Sequence, residues 1–155
     1  MSNFPDVATL VPHEAPMILI DKLIHVDENS VHCQVFINYN SPLFDEQIEA
    51  VGAWVGIEYM AQAISAWSGY QSFLKSETSP IGFLLGSRRY TSNAPLFKKG
   101  DVLDIYAQKL LENDGMGVFS CSIKCADKEI ANGQLNVFVP NKEQLESMLK
   151  GKSNE

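Results

Sequence analysis

The order of secondary-structure signals along this chain predicts an α+β fold in which a curved antiparallel sheet wraps one long central helix. Three observations predict it. Two runs of alternating apolar residues come first, four more come last, and between them lies Ala50 to Leu74, 25 residues with a single charged side chain, Glu58. A helix apolar nearly all round needs cover on every side, which a curved sheet supplies.

Met17 to Val26 and Val31 to Tyr39 read as two strands, joined where the turn formers Asp27-Glu-Asn-Ser30 cluster. The start of the helix is placed at Ser41-Pro42 and the acidic stretch Asp45-Glu46-Gln-Ile-Glu49, because negative charge suits a helix N-terminus. The apolar stretch is long enough for a membrane span and holds Gly52 and Gly56 at close-contact spacing. Glu58, Gln62, Gln71 and the serines within it, with no flanking Lys or Arg cluster, favour a core helix instead. After Ser79-Pro80 come strands at Phe83 to Thr91, Val102 to Leu111, Gly117 to Cys125 and Glu129 to Val139. Turn signals at Lys99-Gly-Asp101, Asn113-Asp-Gly115 and Ala126-Asp-Lys128 separate them. This is the hotdog arrangement, assigned to residues 1–140 as a single domain. Residues 141–155 read as a tail: Asn141 to Leu149 as a short amphipathic helix with Asn141 and Gln144 at capping-box-like spacing, then a disordered end from Gly151 to Glu155.

Composition narrows the function classes. At 155 residues and 45 % hydrophobic the chain supports one sizeable core. Nothing at the N-terminus reads as a signal peptide, so a cytoplasmic protein is expected. A net charge of −7, from 19 acids against 12 bases, argues against a nucleic-acid surface. Cys33, Cys121 and Cys125 are an odd number without the His partners of a zinc site, so no metal is expected and the thiols read as small core hydrophobes.

Glu58 is where chemistry is expected. A carboxylate in so apolar a segment must be paired, neutralised or used, because desolvation disfavours the charged form and makes a buried Glu a proton donor near neutral pH. The competing reading is a neutral acid hydrogen-bonded inside the core.

Two motifs carry a family resemblance. Leu10-Val-Pro-His-Glu-Ala-Pro-Met-Ile-Leu-Ile-Asp21 resembles the Pro-His-x-x-Pro-hydrophobic-Asp signature of the bacterial 3-hydroxyacyl-acyl carrier protein dehydratases, and Glu58-Tyr-Met-Ala-Gln62 resembles their Glu-x-Met-Ala-Gln helix motif. The similarity continues through Phe97-Lys-Lys-Gly-Asp101 and covers roughly residues 10–139. Most narrowly, the chain looks like the divergent ApeP-like proteins of aryl polyene and related type II polyketide pathways. The resemblance implies removal of water from a 3-hydroxyacyl thioester, with no cofactor beyond the phosphopantetheine of an acyl carrier protein. It implies Glu58 as the acidic catalytic group, dried by Trp54, Val55, Ile57, Met60 and Ala61 and oriented by Gln62. Backbone N–H groups near Gly52 or Gly56, where the missing side chain lets a thioester approach, would polarise the carbonyl. It also implies an acyl tunnel, lined by Trp54, Tyr59, Met60, Ile64, Phe83 and Leu85, at the interface of two protomers.

The chain departs from that family at the second catalytic residue. The family's His stands 14 residues before the Glu; that count lands on Phe44, and no His follows His32. Three explanations stand: another residue substitutes, a partner subunit supplies the His, or the protein binds acyl chains without turning them over. His13, held between Pro12 and Pro16, is the candidate substitute, with a structural hydrogen bond as its alternative; Asp45 and Glu46 rank below it, and His25 and His32 are expected to be exposed. Arg88-Arg89 and Lys98-Lys99 are the basic pairs that could meet an acidic carrier protein or pantetheine phosphate. A homodimer or higher oligomer, or a heteromer with a second hotdog dehydratase, is expected because a single layer leaves an edge strand and one side of the helix open. The dehydratase reading competes with a weakly active subunit paired to a His-bearing dehydratase and with a thioesterase, against which the Pro-His and Met-Ala-Gln motifs weigh.

Overall fold

A computed structural model describes residues 4–6, 9–10, 18–75, 83–87 and 89–138, without the side chains of 83–85 and 87. His13, Arg88, most of the N-terminal signature and the tail from residue 139 lie outside the described residues.

Seven strands form one antiparallel sheet in the order β1-β2-β7-β8-β9-β4, with β5 also on β9. These are β1 (Lys22–Val26), β2 (Ser30–Phe36), β4 (Phe83–Ser87), β5 (Thr91–Ser92), β7 (Val102–Asn113), β8 (Met116–Cys125) and β9 (Lys128–Phe138). Period-two alternation gives each long strand an apolar inner face: Val31, Cys33 and Val35 on β2, Leu103, Ile105 and Ala107 on β7, Phe119, Cys121 and Ile123 on β8. The inner face holds α1 (Gly56–Leu74), whose Tyr59, Met60, Ala63, Ile64 and Ala66 are at most 3 % exposed. Breaks in register in the pairings of β1, β4, β7 and β9 accompany the curvature that lets the sheet follow a cylinder. Burial pushes the thiols of Cys33 and Cys121 up to about 12, so both sit in the core as unreactive neutral groups; Cys125 is half-buried.

The hairpin turns follow from local chemistry. Asp27 Oδ1 accepts the amides of Asn29 at 2.9 Å and Ser30 at 2.8 Å, and these bonds hold its carboxyl below the usual range. Asp114 and Gly115 (φ 51° and 85°), and Ala126 and Asp127 (φ 51° and 65°), make two-residue turns whose positive φ values match the right-handed twist of their strands.

Four expectations are corrected. The helix does not begin at Ser41–Glu49: that stretch is a run of turns closed by a bridge between Asp45 and Ala50, and Leu43 and Glu49 take φ of 66° and 50°. Ala50–Gly52 is instead a short strand, β3, paired with β6 (Leu96–Lys98) in a second small sheet that local periodicity did not reveal. The run from Phe83 to Thr91 is two strands, β4 and β5, rather than one. His32 is only one-fifth exposed, its Nε2 2.7 Å from Asp104 Oδ1 and its ring stacked on Tyr106, whereas His25 is exposed as expected. Among the described residues no helix is long and apolar enough to cross a membrane.

Candidate functional site at the start of the central helix

The candidate site is built where β3 turns into α1. Gly52 ends β3 in an extended conformation, Ala53–Val55 make one 3-10 turn, and α1 starts at Gly56. The Ala53 amide donates to Pro95 O at 3.0 Å, which fixes the turn to the loop before β6. Val55, at the N-cap, has no side chain that could cap the helix, and none does. Negative charge in the first turn complements the helix dipole, and Glu58 is the acidic residue there.

Glu58 is exposed rather than sealed in the core. The reason is helical geometry: Val55 and Met60 turn fully into the core, Ile57 and Ala61 are half-buried, and Trp54 and Glu58 point away from the sheet, Trp54 being 65 % exposed. The expectation that those neighbours dry the carboxyl within one protomer is therefore overturned. Half-exposed Ser65 and Ser68 continue the same open stripe along the helix, and Leu43 and Ile48 in the preceding loop are 55 % and 50 % exposed.

Gln62 is 3 % exposed, and its Oε1 accepts the Leu19 amide at 2.8 Å. It ties the segment before β1 to the helix, a role that its place in the helix motif did not suggest. The two glycines also act differently from expectation. A Cβ on Gly52 would lie 2.5 Å from Trp54 Nε1, and one on Gly56 would fall on the Tyr90 hydroxyl, so indole and phenol occupy the room assigned to a thioester. Tyr59, Met60 and Ile64, expected along a tunnel, belong to the core of this protomer.

Tyr90 is the residue that the sequence reading missed. Its hydroxyl donates to Ala53 O, the same carbonyl that accepts the Gly56 amide. Burial raises the phenol's pKa, so it is a neutral donor across the physiological range. Its one sequence-level signal is a tyrosine just before a short β-run, too common to single it out.

Of the basic pairs, Arg89 is exposed and leads into β5, while Lys98 is exposed at the end of β6. Lys99 folds back: its ammonium bonds the Tyr39 hydroxyl, lies over that ring at 4.1 Å and stands 3.7 Å from Glu49. Among the described residues no group of three or more His, Cys, Asp or Glu side chains could hold a metal ion.

A family model described as ApeP-like, ApeP dehydratase, matches residues 5–150. The FabZ 3-hydroxyacyl-acyl-carrier-protein dehydratase of Chlamydia trachomatis is 27 % identical over 146 residues, 90 % of this chain and 94 % of that protein. A chain of the dehydratase heterocomplex ApeI:P from Xenorhabdus doucetiae superimposes with a TM-score of 0.87 at 37 % identity, covering 95 % of this chain and 99 % of that one. A hypothetical thioesterase from Streptococcus pneumoniae, solved with coenzyme A, has a TM-score of 0.59 at 12 % identity over 76 % of this chain and 86 % of its own, and shares the hotdog fold alone.

Proposed function

The chain belongs to the ApeP-like family of dehydratases, and from that premise we propose that it dehydrates 3-hydroxyacyl thioesters carried on acyl carrier protein. The product is the trans-2-enoyl thioester. Glu58 acts as acid and base in a site completed by a second hotdog subunit that bears the missing imidazole.

The observation that carries this reading is the position of Glu58. It is the single charged side chain of residues 50–74, and it stands exposed beside exposed Trp54 in the first turn of α1. Exposed Trp54 beside the carboxyl, with Leu43 and Ile48 also exposed in the loop before β3, is apolar surface suited to cover by a partner. Enclosure there would exclude water and let the carboxyl keep a proton to deliver. The likeness to a chain of a dehydratase heterocomplex supports a partner that is a different subunit. So does the histidine inventory: His25 is exposed beside Asp27, His32 is bound to Asp104, and none follows them. His13 is the competing source of the imidazole from this chain itself.

In the reaction the imidazole takes the proton from C2 of the acyl chain, the C2–C3 double bond forms, and the C3 hydroxyl leaves as water with a proton from Glu58. N–H groups of the first turn of α1 beyond Gly56, whose own amide is bonded to Ala53 O, polarise the thioester carbonyl meanwhile. The imidazolium then returns its proton to Glu58 through water. No cofactor enters beyond the carrier's phosphopantetheine. Lys98 and Arg89, exposed on a chain of net charge −7, are the groups offered to the acidic carrier, with Arg88 and Lys99 beside them in sequence.

The test uses 3-hydroxybutyryl acyl carrier protein, with the chain alone and mixed with a His-bearing hotdog dehydratase whose own catalytic Glu has been replaced. Enoyl product should form in the mixture and fall by about 100-fold or more with Glu58→Gln. Turnover by the chain alone that is lost with His13→Ala assigns the imidazole to this chain and refutes the shared site. Turnover indifferent to Glu58→Gln, or release of free carrier thiol in place of enoyl product, refutes the dehydratase assignment of Glu58.

A further inference from the structure

We propose that Tyr90 is a positioning residue for this dehydration, its hydroxyl holding the turn from which the first turn of α1, and Glu58 on it, is projected. The inference rests on the reading of Glu58 as the acid and base.

A helix that starts without a side-chain cap leaves its first amides to fray, and α1 starts at Gly56 behind an N-cap valine with no such bond. Glu58 is two residues into that turn, so any loosening there moves the carboxyl directly. What holds the turn comes from outside it. The Ala53 carbonyl collects the Gly56 amide from one side and the Tyr90 hydroxyl from the other, while the Ala53 amide is held by Pro95 O. Tyr90 thus braces the turn before the helix from 37 positions away in sequence, by holding the Ala53 carbonyl and not by capping the first amides.

Two glycines from different elements leave the room that Tyr90 occupies. On the helix side, a Cβ at Gly56 would land on the Tyr90 hydroxyl, 2.9 Å from its Cζ and 3.0 Å from Ile123 Cδ1. On the sheet side, a Cβ at Gly133 of β9 would come within 3.2 Å of Arg89 O, 3.4 Å of Tyr90 Cα and 3.5 Å of Tyr90 Cδ1. The phenol is therefore clamped between β9 and α1 with its hydroxyl committed to one carbonyl. A phenylalanine would fill the same slot and hold nothing.

The experiment measures dehydration of 3-hydroxybutyryl acyl carrier protein by the assembly that is active with wild-type chain, using Tyr90→Phe, Gly56→Ala, the double variant, and Glu58→Gln as reference. Tyr90→Phe should lower kcat by about 10- to 100-fold, the scale of a small misplacement of a reacting group, with KM held within about twofold. Gly56→Ala should lower kcat similarly in the wild type but by clearly less in the Tyr90→Phe background, because the hydroxyl it would displace is already gone. The fall in kcat at unchanged KM is the readout that loose packing alone would not give. Should Tyr90→Phe fail to fold, Gly133→Ala, which asks its neighbours to give by only a few tenths of an ångström, should show the same fall in kcat at smaller size. A normal kcat in the variant that folds, a rise in KM alone, or strictly additive losses overturns the inference while Glu58→Gln stays inactive. Activity that survives Glu58→Gln overturns the underlying reading of the site and this inference with it.

Discussion

Replacing Gln62 tests what holds the N-terminal segment against the helix. Its side chain is 3 % exposed and its Oε1 accepts the Leu19 amide at 2.8 Å, between residues 43 apart in sequence. Gln62→Leu keeps similar size and helix propensity but leaves that amide without its acceptor. A buried donor stripped of its partner costs about 1–3 kcal/mol, and added apolar burial recovers only part of it. A net loss of about 2 kcal/mol would lower the thermal midpoint by about 4–8 °C in a chain of this size. Gln62→Glu sharpens the test, because a protonated carboxyl keeps the accepting carbonyl while an ionised one brings an unpaired charge into the core. Burial would raise the folded pKa of the introduced carboxyl above its unfolded value of about 4.3. The variant's stability relative to wild type is then fully present below that unfolded value and is lost as pH rises through the raised folded one. Thermal and urea denaturation of both variants at pH 4.5 and pH 8 measure this. A wild-type midpoint for Gln62→Leu, or a Gln62→Glu protein with no excess loss at the higher pH, refutes the assignment of Gln62 as the anchor of Leu19.

Two further outcomes are expected. Asp27 carries two amides of the β1–β2 turn and has a lowered pKa, so its contribution is present above the unfolded value of about 3.9 and is lost as pH falls through the folded one. Urea midpoints should therefore separate Asp27→Ala from wild type at neutral pH, by about 1 kcal/mol in so exposed a turn, and converge in acid. At the β8–β9 turn, Ala126 and Asp127 take left-handed φ values that favour Asn and Gly, so Ala126→Asn with Asp127→Gly should raise stability by about 1 kcal/mol in the same assay.

The legible part of the fold was the part written in local pattern. Val31, Cys33 and Val35, then Leu103, Ile105 and Ala107, alternate with polar neighbours, and a strand exposes that alternation whatever it pairs with. Turns at Asp114-Gly115 and Ala126-Asp127 were legible for the same reason. The helix start was not. Asp45, Glu46 and Glu49 imitate an acidic first turn, yet pairing of Ala50–Gly52 with Leu96–Lys98, contributed from beyond the helix, claims the backbone that the helix would have used. The two glycines misled in a related way, since an absent side chain says that something comes close without saying what does.

By itself the sequence determined the class of architecture, the one helix rich enough in apolar residues to be its axis, the charged residue on that helix, and the family to which both belong. Each follows from patterns a few residues long or from motifs in order. Tertiary structure alone decided that Glu58 faces outward, that Gln62 holds Leu19, and that Tyr90 closes the turn before α1. Those outcomes depend on which side of a helix meets the sheet and on which distant side chain reaches a given backbone group. Such contacts are set by the summed packing of the whole core, where no short window of residues can record them.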